Sequence, residues 1–191
     1  MRHVVLAAAA AALLAACNMI PGMGGGSGPA LPRVQPGAQA PSTQTRPKDP
    51  ARQAQVTNEV RTQLRTNIGQ QLDQIAANFG SGMSPIQGSS DDIVEMQPAS
   101  DHRAVLPLTG GQAYSFLGAC DGDCTNVDIE LIDMTTGGVV ASDMLPDDYP
   151  VVNFTPQANG QYMVRLLMQS CATAPCFAGT RVLTAPGGGG K

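Results

Sequence analysis

Residues 126–133 read NVDIELID, and their alternation decides the fold. Side chains on an extended chain point to opposite sides in turn. Val127, Ile129 and Leu131 therefore share one face, and Asp128 and Glu130 share the other. That pattern predicts a strand with one face buried and one wet. Tyr162, Val164 and Leu166 alternate in the same way around Arg165. Outward from these two strands lie AVLPL, QAYSFLGA, VVASDM, PVVNFTP and FAGTRVLT, separated by TGG, TTGG and NG. Short β-rich runs at regular spacing between turn signals are the pattern of a sandwich or barrel. Asn159-Gly160 is a favoured tight-turn pair. Residues 104–185 are thus expected to form one small β domain, with 186–191 as a flexible tail. A core with so few aromatic residues belongs to the size class where covalent staples help.

Upstream the period changes. Val56, Val60, Leu64, Ile68, Leu72, Ile75 and Phe79 recur at steps of four and three, which places them on one arc of a helix. Asp49 suits an N-cap, Pro50 the first helical position and Gly80 the position after the end. One amphipathic helix is expected over 50–80, and Gly69 should weaken it by about 1 kcal/mol relative to alanine. Its apolar arc either packs on its own domain or binds a partner helix. Residues 81–103 are expected to be an irregular connection, with room for a short strand at Ile93–Met96.

Residues 18–49 hold six prolines and six glycines. Proline lacks a backbone donor and glycine is costly to order, so residues 17–49 are expected to be a disordered tether. Its reach would be about 30 Å as a flexible coil and about 100 Å if polyproline-like. Before it stands MRHVVLAAAAAALLAAC. Arg2 and His3 precede an apolar run from Val4 to Ala16, too short for a bilayer span and fitting a secretory signal over 1–16. LAAC, Leu14 to Cys17, resembles a bacterial lipobox. The resemblance implies cleavage before Cys17, a diacylglycerol (and commonly a palmitate-type third chain) on it, and anchoring in the cell envelope. Two or more acyl chains hold a protein on a membrane where one binds marginally. In such lipoproteins an aspartate after the cysteine marks inner-membrane retention. Asn18 stands there instead, which points to the outer membrane.

The net charge of −4 leaves no basic footprint for nucleic acid. Residues 100–184 carry nine acidic side chains and three arginines. Catalytic side chains are scarce: beyond the signal the only histidine is His102, set in the polar stretch ASDHRA, and no G-x-S-x-G elbow is present. A serine nucleophile needs a base and an orienting group, so no enzyme is expected.

Residues 120–124 read CDGDC. Setting Cys17 aside leaves Cys120, Cys124, Cys171 and Cys176. Their spacings suit neither a zinc ribbon nor a C-x-x-C redox pair. An even number in an oxidising compartment reads as two disulfides. Local pairing needs each loop to turn back, because residues four apart on a straight strand lie about 13 Å apart. Gly122 and Pro175 suit such turns, whereas crossed pairing would close larger rings and stabilise more. Asp121, Asp123 and Asp128 form a carboxylate-rich stretch that could supply calcium ligands, although the EF-hand pattern is absent. The alternative is that Asp121 and Asp123 cap turns while Asp128 faces solvent. No other cofactor is expected.

The stretch LTGGQAYSFLGACDGDC through VDIELIDMTTGG to ANGQYMVRLLM resembles the bacterial pre-peptidase C-terminal domain. The matching positions are Gly111, Tyr114, Asp128, Gly137, Asp148, Gly160, Tyr162 and Val164. The resemblance implies a jelly-roll-like β-sandwich without catalytic activity. Its paired-cysteine version, with CDxDC and a later CxxxPC, implies the local disulfides Cys120–Cys124 and Cys171–Cys176. The expectation is therefore a mainly β, lipid-anchored envelope module that binds an envelope protein or polysaccharide. The alternatives are a structural accessory subunit docked through the helix, and a calcium-dependent carbohydrate-binding module.

Overall fold

The computed structural model describes residues 26–44 and 50–186. The expected signal, the lipobox with Cys17, and most of the tail lie outside them. The described residues form strands β1 (Arg52–Gln53), β2 (Ser84–Pro85), β3 (Asp92–Met96), β4 (Ser100–Leu108), β5 (Tyr114–Cys120) and β6 (Cys124–Asp133). They continue with β7 (Val139–Asp143), β8 (Val151–Phe154), β9 (Gly160–Cys171), β10 (Thr173–Ala174) and β11 (Cys176–Thr184). One helix, α1 (Asn58–Phe79), stands between β1 and β2.

The protein is mainly β, as its alternation predicts. One sheet runs β4-β9-β6-β7, and the other runs β11-β5-β8 with β2 and β3 both on the free side of β11. Numbered by their order in the chain, the eight strands β3 to β9 and β11 give sheets 1-8-3-6 and 2-7-4-5. Two sheets so interleaved are a jelly roll. Val127, Ile129 and Leu131 meet Val164, Leu166, Phe116 and Val152 in the core between the sheets.

The first strand of the roll, β3, lies in the stretch expected to be irregular, and β4 begins at Ser100 rather than at 104. That boundary is corrected. Asp92–Met96 contains the short strand for which Ile93–Met96 leaves room, although its two acids break any regular alternation. Its position comes from an antiparallel ladder with Cys176–Thr180.

Helix α1 starts at Asn58, not at 50, with the Thr57 side chain accepting from Val60 N at the cap. Residues Arg52 and Gln53 are taken up by a two-residue ladder with Thr173 and Ala174, which holds the chain extended before the helix. Ile68, Leu72 and Ile75 are buried against Leu117, Ala119, Phe177 and Leu183 on the outer face of the β11-β5 sheet. Val56 and Leu64 pack at the rim of that cluster. Of the two expectations for the apolar arc, packing on its own domain holds for its middle, while Val60 and Phe79 remain 44% and 50% exposed. Arg181 of β11 locks the helix down, donating to both oxygens of Asp91 at 2.7 Å and to Asp73 at 2.6 Å.

Both disulfides are local, Cys120–Cys124 and Cys171–Cys176, with Cα separations of 5.9 and 6.0 Å. Each joins the two sheets, since Cys120 ends β5 and Cys124 opens β6, while Cys171 ends β9 and Cys176 opens β11. Cys124 and Cys171 are register partners, so both staples sit at one end of the roll.

The largest correction concerns the tether. Its described part, residues 26–44, forms neither helix nor ladder, as its composition requires, yet it lies across the outer face of the β4-β9-β6-β7 sheet. Ser27 N donates to Asp101 O, and Arg103 N donates to Ser27 O. The chain then crosses to the far edge, where Gln35 N donates to Thr136 O at 2.8 Å and Val139 N donates to Gln39 O at 2.9 Å. It returns over the centre, where Ser42 N donates to Glu130 Oε1 at 2.8 Å and Gln44 Nε2 donates to Met168 O at 3.1 Å. Glycine permits this close approach. Gly28 and Gly137 both have positive φ, and a Cβ at either would overlap a backbone carbonyl, of Arg103 and of Arg33 respectively.

Candidate functional site

Three features on this scaffold carry polar or exposed groups that packing alone does not require. The first lies under the strap formed by residues 26–44. Arg165 is 5% exposed and stands on the outer face of β9. Its Nε donates to Asp101, and its Nη1 donates to Glu130 Oε2 and to Ser42 O, both at 2.8 Å. Arg103 grips Asp101 with Nε and Nη2 at 3.1 and 2.8 Å. Burial alone would raise the Asp101 carboxyl, but the hydrogen bonds from Arg103 and Arg165 outweigh it and hold it below its ordinary value. Two arginines and two carboxylates thus form a neutral buried quartet. A cleft of about 440 Å³ opens between strap and sheet, lined by Leu31, Pro32, Val34, Pro41, Arg103 and Arg165 among others.

The face expected to be wet is therefore covered: Asp128 and Glu130 are only 2% and 3% exposed. Asp128 Oδ2 accepts from Gln169 Nε2 at 2.6 Å. Burial drives its carboxyl up to about 6, opposed by the Gln169 bond and assisted by the negative charges of Asp143, Glu130 and Asp147.

The second feature is a row of three side chains along the open edge between β3 and β4. Asp92 Oδ2 lies 2.7 Å from His102 Nε2, and Ser27 Oγ lies 2.8 Å from His102 Nδ1. The bond to His102 outweighs burial and lowers the Asp92 carboxyl. An ionised Asp92 only accepts, so His102 Nε2 carries a proton and donates to it, while Nδ1 lies at hydrogen-bond distance from the Ser27 hydroxyl. Although ASDHRA is a polar stretch, His102 sits on β4 between two partners. The sequence conceals this row because Ser27 and His102 are 75 residues apart. Neither the cleft under the strap nor a second one, of about 330 Å³ and lined by Asp73, Asp91 and Arg181, is lined by Ser27 or His102.

The third feature is apolar and exposed. Leu145, Tyr149 and Met144 are 62%, 46% and 42% exposed in the β7–β8 loop. Tyr149 stacks on Phe79 at the end of α1, with ring centroids 6.3 Å apart. The loop is held in shape from within. Asp143 accepts from Leu145 N and Val151 N at 3.2 and 2.9 Å, and Val127 N donates to Asp147 O at 3.0 Å. Asp147 and Asp148 give its tip negative charge.

The calcium ligands expected from the sequence are not brought together. Asp121 turns inward to accept from Phe177 N at 2.7 Å and Asp123 N at 3.3 Å, capping the β5–β6 turn. Asp123 is exposed, and Asp128 lies on the outer face of β6. Among the described residues no three His, Cys, Asp or Glu side chains converge to hold a cation. No protein-family model and no curated protein matches the chain.

Proposed function

We propose that this chain is a lipid-anchored, non-catalytic interaction module of the bacterial cell envelope, placed at the outer membrane by the asparagine after its anchor. The observation that carries the proposal is the distribution of the five cysteines. Four are joined in two disulfides, a chemistry that belongs to oxidising compartments. The fifth, Cys17, closes the LAAC stretch. The eight-strand jelly roll is in keeping with the likeness to the pre-peptidase C-terminal domain, which in secreted proteases is an accessory appendage rather than a catalyst.

The binding surface in this proposal is Phe79, Met144, Leu145 and Tyr149. A loop already fixed in shape loses little entropy on binding, which favours its use as a contact. Its aspartates select a protein partner with an apolar contact surface and a basic rim, and they disfavour a second copy of the same loop or an anionic lipid surface. This keeps the partner-binding role of the helix only at its end, through Phe79. The calcium-dependent carbohydrate-binding alternative is not carried forward, because its three aspartates are apart.

The test has two parts. Cells fed labelled palmitate should label the wild-type chain and not Cys17→Ser. A photo-crosslinking residue at Leu145 should give one discrete adduct in membranes, lost on Phe79→Ser, while the same residue at Gln157 gives none. Unlabelled wild-type protein, or adducts of equal yield at both positions, would refute the proposal.

A second reading rests on Ser27, His102 and Asp92, whose bonding is that of an activated serine. In it Ser27 Oγ attacks an ester carbonyl, its proton passes to His102 Nδ1 and then to the leaving alcohol, and water releases the acyl group. A fluorophosphonate that labels the wild type at Ser27, and labels His102→Ala far less, selects this reading; an unlabelled Ser27 removes it.

A further inference from the structure

We infer that the strap fixes the height and facing of the domain, so that the partner surface nearest to it is the lipid bilayer itself. The inference rests on the anchoring at Cys17 proposed above. Gly26 and Ser27 are held on the free edge of β4, through Asp101 and Arg103. Nine Cα steps separate Cys17 from Gly26. Whatever its conformation, that length of chain reaches at most about 30 Å. Were residues 26–44 free, the steps from Cys17 to Pro50 would reach about 110 Å. Docking of the strap therefore removes most of the leash.

The docking is built into the fold by several independent contacts. The quartet of Asp101, Arg103, Glu130 and Arg165 donates to and accepts from the strap backbone at Pro29 and Ser42. Gly137 and Gly138 let the strap pass against the β6–β7 turn, where any Cβ would meet Arg33, Val34 or Ala38. The free edge of β4 is then the lipid-side edge. The β7–β8 loop follows β7, the opposite edge of the same sheet, and leaves Leu145 and Tyr149 exposed there. The module works beside the bilayer rather than at the end of a long stalk.

The acylated full chain, carrying a fluorescent residue at the exposed Gln157, is placed in phosphatidylethanolamine–phosphatidylglycerol vesicles with an acceptor dye on the headgroups. Energy transfer to the acceptor should be strong for the native sequence. A twenty-residue Gly-Ser insertion between residues 25 and 26 leaves the domain untouched and should lower transfer at least about two-fold, since the mean span grows with the root of length. Gly28→Val with Gly137→Val should lower it similarly and open Arg33 to trypsin. Transfer unchanged by the insertion would overturn the inference. Cys17→Ser chains that still sediment with the vesicles would instead overturn the anchoring on which it rests.

Discussion

Arg165→Met tests whether the buried quartet holds the strap to the sheet. The guanidinium is 7% exposed at the side chain and bonds Asp101, Glu130 and the Ser42 carbonyl. Methionine matches its stem and removes all three bonds. Asp101 keeps its two bonds from Arg103. Glu130 keeps only Ser42 N, on Oε1, and its Oε2 faces a buried site with no donor. Breaking a buried pair by removing one partner costs about 3–5 kcal/mol, and the Arg103 bonds put this case near 3. That is a large share of the roughly 5–15 kcal/mol by which domains are stable. Urea unfolding followed by far-ultraviolet circular dichroism gives the number. Adding Glu130→Gln should return about 2 kcal/mol, because the amide still accepts from Ser42 N and carries no charge. A loss below about 1 kcal/mol, or no recovery in the double variant, would refute the view that this charge pair is desolvated and structural.

Four further outcomes are expected. Asp128 is raised to about 6 in the folded protein from an ordinary 3.8, so the native state holds its proton longer than the unfolded chain does. Its contribution is favourable below about pH 4 and is lost as pH rises to about 6, so Asp128→Asn should flatten that decline and gain about 1–2 kcal/mol at pH 7, measured by melting across pH. Gly69→Ala should stabilise α1 by about 1 kcal/mol, because its Cβ would meet only Asp91 Oδ2 at 3.8 Å. Gly179→Ala should cost about 1–3 kcal/mol in the same assay, because its Cβ would lie 2.8 Å from Ile93 and 2.9 Å from Ile68. Replacing Cys120 and Cys124 together by serine should lower stability by about 2 kcal/mol, the value for a five-residue ring, and a chain unaffected by reductant would contradict it.

The legible parts of this protein are those where apolar periodicity is the cause of structure. Val127, Ile129 and Leu131 alternate because a core lies on one side of β6, and Ile68, Leu72 and Ile75 recur because a sheet lies under α1. The strap obeys a different rule. Leu31, Pro32 and Val34 make no periodic face; residues 26–44 are held by backbone donors, by Arg165 and Glu130, and by the room that Gly28 and Gly137 leave. Composition predicts the absence of a core within such a segment but is silent on docking to another surface. The error over Asp128 and Glu130 follows from the same cause, since alternation tells which side is polar and not whether that side is covered. Arg165 and Glu130 face each other across β9 and β6, but an exposed sheet face carries such a pair equally well, so it gives no sign of the strap. Ser27, His102 and Asp92 left no signal, because Ser27 lies 75 residues from His102 and Asp92 belongs to the other sheet, so the three meet only at an edge. The apolar patch was half visible, through Phe79 alone.

The two staples close rings of only five and six residues while pinning opposite sheets. Thiols so near in the chain collide far more often with each other than with the remoter pair, even before any strand has formed. Of the three ways to join four cysteines, the native one is therefore also the statistically favoured first encounter. The corners of the roll are thus ones that proximity along the chain is able to join before either sheet is complete.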